Sequence, residues 1–251
     1  MVNTNDWEGS ITSKDTITVE RRYTIINKVL AEYVACLIFV FIGSVSTLHG
    51  NIVSVAFAHG LTIFAGVSAF GGISGGHLNP AVTLALVLSK KCPPIYLLAY
   101  WPAQLLGGFS GGVLVRAILN DKQYNSILGG ATTLNMDNTW WQGLITECVL
   151  TVILTLVIVM VAADRENFSL APIAIGLTLS LSILGCGSIS GASLNPARSL
   201  GPAAAFSIFG SYNSTVWNDH YIYWGGPLLG SIITATLYRS FFDSNVKERI
   251  F

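Results

Sequence analysis

One ten-residue element occurs twice in this chain and limits the folds that are open to it. Residues 73–82 read ISGGHLNPAV and residues 189–198 read ISGASLNPAR, with seven of ten positions identical. A repeat of this kind predicts that the chain consists of two related halves. In each copy an asparagine, Asn79 or Asn195, precedes a proline, and this is how many helices begin, with asparagine at the N-cap and proline at the first helical position. Each copy therefore predicts a loop that turns into a short helix.

Long stretches without charged side chains place the chain in a membrane. Only 10% of its residues are charged and 52% are hydrophobic, whereas about 25% of residues are charged in ordinary soluble proteins. A helix that crosses a bilayer needs roughly 20 apolar residues. The charge-free stretches hold about six such segments and two shorter ones. The net charge is zero, so the composition gives no indication of a nucleic-acid partner.

The predicted fold class is an all-α membrane protein with six transmembrane helices and two half-helices. The expected spans cover about 29–47, 52–70, 94–119, 140–163, 170–187 and 221–242. The first half-helix, 80–88, is only about 13 Å long at 1.5 Å per residue and cannot cross a bilayer. Because each half contains three spans, an odd number, the second half must enter the membrane from the opposite side. The two halves therefore form an inverted repeat.

The same pattern predicts the domain organisation. A channel domain is expected at 28–245, with repeats at about 28–119 and 140–242, between tails at 1–27 and 246–251. The most polar internal segment, 120–139, is expected to be a surface loop.

Lysine and arginine residues predict the orientation in the membrane. With the N-terminus inside, nine of them are cytoplasmic: Arg21, Arg22, Lys28, Lys90, Lys91, Arg165, Arg239, Lys247 and Arg249. Mainly Arg116 and Lys122 then remain near the outer ends of the spans, as the positive-inside rule requires. Both termini are therefore expected to be cytoplasmic, with the plasma membrane as the default location. The sequon at Asn213 lies outside in this orientation and is an expected glycosylation site.

Two half-helices that enter from opposite faces predict a water-filled cavity. Irregular backbone at membrane depth is tolerated only where protein covers it or where it lines such a cavity. The helix N-termini would meet near the midplane, and each contributes about half a positive elementary charge there. Asn79 and Asn195 would cap the helices with their oxygens and leave their amide hydrogens for a passing oxygen atom. A water held in this way accepts with both lone pairs, which interrupts a proton wire, while the positive field repels cations.

The paired boxes HLNPAV and SLNPARS resemble those of the aquaporin (major intrinsic protein) family, and the resemblance extends over about residues 25–245. It implies a right-handed bundle of six helices and two half-helices. It also implies a homotetramer in the lipid bilayer, with one pore in each protomer for water and small neutral solutes. The residues implied at the middle of the pore are Asn79, Pro80, Ala81, Asn195, Pro196 and Ala197.

The resemblance also assigns an outer selectivity filter. By position relative to the boxes, the filter residues are His59, Ile183, Ala192 and Arg198. Strict water channels usually carry Phe in place of His59 and His in place of Ile183. This set is instead similar to that of ammonia-permeable animal aquaporins and plant tonoplast intrinsic proteins. It implies that ammonia and hydrogen peroxide pass with water, whereas Arg198 and the central positive field reject ammonium.

Two buried acids and several alternatives complete the predictions. The resemblance assigns Glu32 and Glu147 to holding the backbone of the re-entrant loops, with a proton relay as the alternative.

A urea or glycerol channel is a second possible function, although Ser199 and Ala203 differ from the glycerol-channel pattern. A secondary transporter is a third, because such proteins also use inverted repeats and broken helices. No nucleophile–base pair, phosphate loop or metal-ligand spacing indicates an enzyme, a cofactor or a metal site.

Overall fold

The computed structural model describes residues 23–164, 168–211 and 214–243, and these ranges contain helices and no β-strand. The helices in order are α1 Ile25–Ser46, α2 Ile52–Ser74, α3 Pro80–Leu88, α4 Ile95–Ile118, α5 Asp121–Ser126, α6 Trp140–Ile158, α7 Ala171–Ser190, α8 Pro196–Phe209 and α9 Ile222–Leu237. A five-residue π-helical turn extends α6 and another extends α9. The predictions for Asn213 and for the ends of both tails, 1–22 and 244–251, fall outside the described residues.

Six long helices and two half-helices confirm the predicted fold class. Among the described residues, α1, α2, α6 and α7 are long and apolar enough to cross a membrane. The remaining two spans are α4, with 24 residues, and α9, with 16 residues before its π-helical turn. Both contain an internal proline, Pro102 in α4 and Pro227 in α9. The half-helices are α3 and α8, which have 9 and 14 residues.

Some helix boundaries differ from those expected from hydropathy. The first helix begins at Ile25, before the expected start at Val29, because Thr24 caps it. The Asn27 amide N–H donates to the Thr24 hydroxyl at 3.3 Å, and the Thr24 N–H donates back to the Asn27 side chain at 3.0 Å. Polar capping residues lie outside an apolar window, so hydropathy alone places the boundary too late.

The polar segment 120–139 is not the simple surface loop that its composition indicates. It contains the short helix α5, and Tyr124 on this helix is fully buried against Phe206 of α8. Gly129 and Gly130 then follow with φ of 63° and 81°, in the left-handed region that glycine tolerates best. Gly130 lies directly on the side chain of Ser44, where a Cβ would not fit. The segment therefore folds back onto the bundle and carries the Gly130 carbonyl towards its interior.

Helices pack in equivalent pairs within each half of the chain, and each half-helix packs against the other half. Within the halves, α1 packs on α4 and α6 packs on α9, and these pairs are equivalent under the repeat. Each half-helix also packs against the last long helix of the other half, α3 on α9 and α8 on α4. The Ser231 hydroxyl of α9 donates to the Ala81 carbonyl of α3 at 2.7 Å.

The two ends of the bundle are named by the residues that they carry. The lysine face is the end that carries Lys28, Lys90 and Lys91, and the loop face is the opposite end, which carries 120–139.

Candidate functional site

The two re-entrant loops end in capped helices, as the repeated element predicts. Asn79 accepts from the Ala81 amide N–H at 2.8 Å, and Asn195 accepts from the Ala197 N–H at 2.9 Å. Pro80 and Pro196 occupy the first helical positions, where no N–H is needed. Both half-helix N-termini therefore point into the interior of the bundle, and both asparagines are at least 96% buried.

The same asparagines join the two loops directly. The side-chain amide of Asn79 donates to the Leu194 carbonyl at 2.8 Å, and that of Asn195 donates to the Leu78 carbonyl at 2.9 Å. The prediction left the amide hydrogens to a passing oxygen atom and did not include this bond between the loops. One hydrogen of each amide binds the opposite loop, and within the described chain the other has no protein partner. One donor from each asparagine remains for a molecule between the loops.

Glu32 organises the first loop from α1. Its carboxylate accepts from the Ser74 hydroxyl at 2.6 Å, the His77 N–H at 2.9 Å, the Leu78 N–H at 2.7 Å and the Gln104 amide at 2.8 Å. The carboxylate is fully buried, so these donors replace the water that it would otherwise require. Both oxygens are occupied by groups that hold the loop.

Glu147 has the equivalent position in the second half. Its carboxylate accepts from the Ser190 hydroxyl at 2.7 Å, the Ser193 N–H at 2.9 Å and the Leu194 N–H at 2.7 Å. Like Glu32, it is fully buried. The two glutamates therefore hold corresponding backbone groups of the two loops, as loop-holding residues would.

These hydrogen bonds maintain an uncommon backbone conformation. Leu78 has φ of 53° and Leu194 has φ of 56°, both in the left-handed region. Each such non-glycine residue costs about 1–3 kcal/mol, and the surrounding structure must offset that cost. Since the N–H of each leucine binds a glutamate and its carbonyl binds an asparagine, the strained residues lie where the loops meet.

Of the four predicted filter residues, Arg198 lies in the first turn of α8 and contacts His59 of α2. The Arg198 guanidinium donates to the Gly130 carbonyl at 2.9 Å, and its other terminal nitrogen lies 3.2 Å from His59 Nε2. His59 Nδ1 lies 2.9 Å from the Val55 carbonyl. A guanidinium only donates and a carbonyl only accepts. His59 is therefore assigned as the neutral tautomer that carries its proton on Nδ1.

Two cavities approach the filter residues from opposite faces. The inner cavity has a volume of about 40 Å³ and passes Asn79 and Asn195, which is room for roughly three water molecules. The outer cavity has a volume of about 320 Å³, opens at the loop face, and is lined by Ile183 and Arg198 among others. His59 lies one helical turn from a lining residue of each cavity, Val55 and Ile63. His59 therefore lies between the two cavities along α2.

Sequence reasoning did not identify every residue that builds this arrangement. The Gly130 carbonyl, which orients Arg198, belongs to the segment expected to be a surface loop. Tyr100 and Tyr223 donate to the carbonyls of Ser74 and Ser190 at 2.8 and 2.7 Å, and their similar sequence surroundings were the available signal. Within the described ranges, no three His, Cys, Asp or Glu residues are grouped so that they could hold a metal ion.

Comparison with known proteins identifies the family. The model of the major intrinsic protein family matches residues 20–238. Aquaporin TIP2-2 of Zea mays is 36% identical over 244 residues, which cover 90% of this chain and 92% of the relative. Aquaporin-8 of Mus musculus is 35% identical over 216 residues, with coverage of 84% and 80%. In fold, the chain resembles the aquaglyceroporin from Plasmodium falciparum, with a TM-score of 0.76, 23% identity, and coverage of 90% and 100%. The chain is therefore a multi-pass membrane protein that belongs to the aquaporin (major intrinsic protein) family of water channels.

Proposed function

We propose that this protein conducts water, ammonia and hydrogen peroxide passively and excludes protons and ammonium. The observation that carries the proposal is the contact between His59 and Arg198, together with Ile183, which lines the outer cavity beside Arg198. His59 and Arg198 bind each other, Ile183 is apolar and Ala192 is small. A filter of this composition presents one fixed cation and a largely apolar wall to a passing molecule.

Charge separates ammonia from ammonium at this filter. A cation held about 4 Å from the Arg198 guanidinium is repelled by about 4 kcal/mol at an effective dielectric constant near 20. Neutral ammonia meets no such repulsion and can accept a hydrogen bond from the guanidinium. The filter therefore passes the neutral base and rejects its conjugate acid.

Protons are rejected at the centre. The remaining amide hydrogens of Asn79 and Asn195 face the space between the loops, where the N-termini of both half-helices add positive potential. A water that accepts both hydrogens has no lone pair left for its neighbours. Neighbouring waters on each side must therefore accept from it, which breaks the chain along which a proton would move.

The filter assignment is tested by His59→Phe combined with Ile183→His. The first change removes the acceptor for Arg198 and adds bulk, and the second places a polar ring on the apolar wall. We expect ammonia permeability to fall at least about tenfold relative to water, which corresponds to about 1.4 kcal/mol in the barrier. The measurement is water and ammonia flux in proteoliposomes. Leu229→His, on an exposed face of α9 away from both cavities, is the control and should behave as the parent. An unchanged ratio in the double variant contradicts the assignment.

The proposal includes assembly and location. The proposed assembly is a homotetramer, as the family resemblance implies. The lysine face is placed towards the cytoplasm, in agreement with the positive-inside rule. Both termini are then cytoplasmic, the sequon at Asn213 is outside, and the plasma membrane is the proposed location.

A further inference from the structure

A large polar cavity lies at the lysine face, apart from the pore. It has a volume of about 730 Å³ and is bordered by the end of α3, the residues that follow it, and the end of α9. It shares no lining residue with the inner or the outer pore cavity. We call it the basic cavity, and its lining residues are Leu88, Ser89, Lys90, Lys91, Ile232, Ala235, Thr236, Arg239, Ser240 and Asp243.

The charge of the basic cavity is positive. Three cations, Lys90, Lys91 and Arg239, line it together with one acid, Asp243. Lys91 is held by Asp164 at 2.8 Å, whereas Lys90 and Arg239 form no ion pair within 23–164, 168–211 and 214–243. These two cations remain for a ligand with negative charge.

Uncharged groups of the lining also suit an anion. Ser240 adds a hydroxyl donor to the basic cavity, whereas the Thr236 hydroxyl already donates to the Ile232 carbonyl at 2.9 Å. Ser89 is 2% exposed, and in the described part of the chain its buried hydroxyl has no hydrogen-bond partner. Most buried hydroxyls in folded proteins are hydrogen-bonded. The Ser89 hydroxyl therefore leaves one unsatisfied hydrogen-bonding group in the wall of the cavity.

The end of α3 borders the basic cavity, and a helix C-terminus would ordinarily repel an anion. A helix C-terminus carries partial negative charge on its unpaired carbonyls. In this case the carbonyls of Leu86 and Val87 accept from the N–H groups of Lys91 and Lys90 at 2.9 and 3.0 Å. Lys90 closes this turn with φ of 60°, a position usually occupied by glycine. The turn satisfies two of the last carbonyls of α3 and places Lys90 at the cavity.

The neighbourhood of the cavity is a lipid surface. Ile232, Phe241 and Phe242 of α9 and its π-helical turn are 48%, 68% and 47% exposed. These three exposed apolar side chains are expected to contact the acyl chains of the bilayer. The basic cavity is therefore expected to lie at the depth of the lipid headgroups. Basic pockets between transmembrane helices on the cytoplasmic side suit anionic lipid headgroups. The lysine face is cytoplasmic in the orientation proposed above.

We propose that the basic cavity binds the headgroup of an anionic phospholipid that carries more than one negative charge. Lys90 and Arg239 contact the phosphate groups, Lys91 keeps its bond to Asp164, and the Ser240 hydroxyl donates to a remaining headgroup oxygen. The acyl chains lie along the exposed side of α9.

The test uses the full chain in phosphatidylcholine nanodiscs, with phosphatidylinositol 4,5-bisphosphate as the probe and native mass spectrometry as the readout. The variant combines Lys90→Gly with Arg239→Gln. Since each basic residue near such a headgroup changes affinity by about fivefold, the pair is expected to weaken binding by about 25-fold. Glycine at 90 also relieves the left-handed backbone, so misfolding does not explain a loss, and water flux should be unchanged.

The matched control removes two cations from the loop face, with Arg116→Gln and Lys122→Ala, and should retain parental binding. The proposal is overturned by no binding to the parent, by equal losses in the variant and the control, or by equal affinity for phosphatidylserine. Soluble inositol trisphosphate provides the last comparison. If it binds as tightly as the lipid, the cavity recognises free phosphates and the lipid proposal is wrong.

Discussion

Replacement of Glu147 by leucine is expected to abolish water flux and to lower the free energy of unfolding by about 2–6 kcal/mol. The carboxylate accepts one hydrogen bond from Ser190 at the end of α7 and two from the backbone N–H groups of Ser193 and Leu194 in the second loop. Leucine fills a similar volume but accepts none. Each abandoned buried donor costs roughly 1–3 kcal/mol, and the Ser190 hydroxyl can rotate to limit its share. Leu194, whose carbonyl receives the Asn79 amide, would then lose its position.

Thermal unfolding of the purified protein in detergent and osmotic flux in proteoliposomes measure this effect. Glu147→Gln keeps one acceptor oxygen but presents an N–H to a backbone donor, so an intermediate loss of about 1–3 kcal/mol is expected. Thr151→Val is the matched control, one turn along α6. The Thr151 hydroxyl is buried without a partner in the described residues, so its removal should be neutral or stabilising. Parental stability and flux in the leucine variant would show that the loop does not depend on Glu147.

Replacement of Arg198 by valine is expected to admit cations while water still passes. The guanidinium is the fixed charge at the proposed filter, 5% exposed and bound to Gly130 and His59. Its repulsion of a cation at about 4 Å amounts to about 4 kcal/mol. Loss of that barrier raises ammonium permeability by roughly two to three orders of magnitude.

Voltage-clamp currents in ammonium solution, recorded in cells that express the variant, provide the measurement. Arg198→Lys keeps the positive charge but loses the planar fork that binds Gly130 and His59 together. It should therefore still exclude ammonium, although with altered water flux. If the valine variant conducts water and remains closed to ammonium, cation rejection does not reside at Arg198.

The repeated element and the charge-free stretches were sufficient to predict most of the architecture. Asparagine followed by proline is a local signal for a helix start, and both half-helices begin where that signal lies, at Pro80 and Pro196. The buried acids were also recognisable, since Glu32 and Glu147 interrupt otherwise apolar spans and a buried carboxylate requires donors. Local chemistry and hydropathy were therefore enough to predict the fold class and the residues at the ends of the two re-entrant loops.

What the sequence could not show depends on contacts between distant segments. The asparagine amides bind across the loops because Leu78 and Leu194 turn their backbones at positive φ, which capping rules do not predict for leucine. The Gly130 carbonyl reaches Arg198 only because the segment 120–139 folds back over α8. A polar composition predicts that a segment is exposed, and it gives no information on whether the segment folds back onto the helix bundle. Hydropathy likewise missed the early start of α1.

The proposed passage of both water and ammonia through one pore can be measured on the unmodified protein. Stopped-flow light scattering would record osmotic water flux in proteoliposomes, and an internal pH dye would record ammonia entry in the same vesicles. We expect both rates to rise well above those of protein-free liposomes. A rise in water flux alone, with ammonia entry at the level of bare lipid, would contradict the proposed filter of His59, Ile183, Ala192 and Arg198.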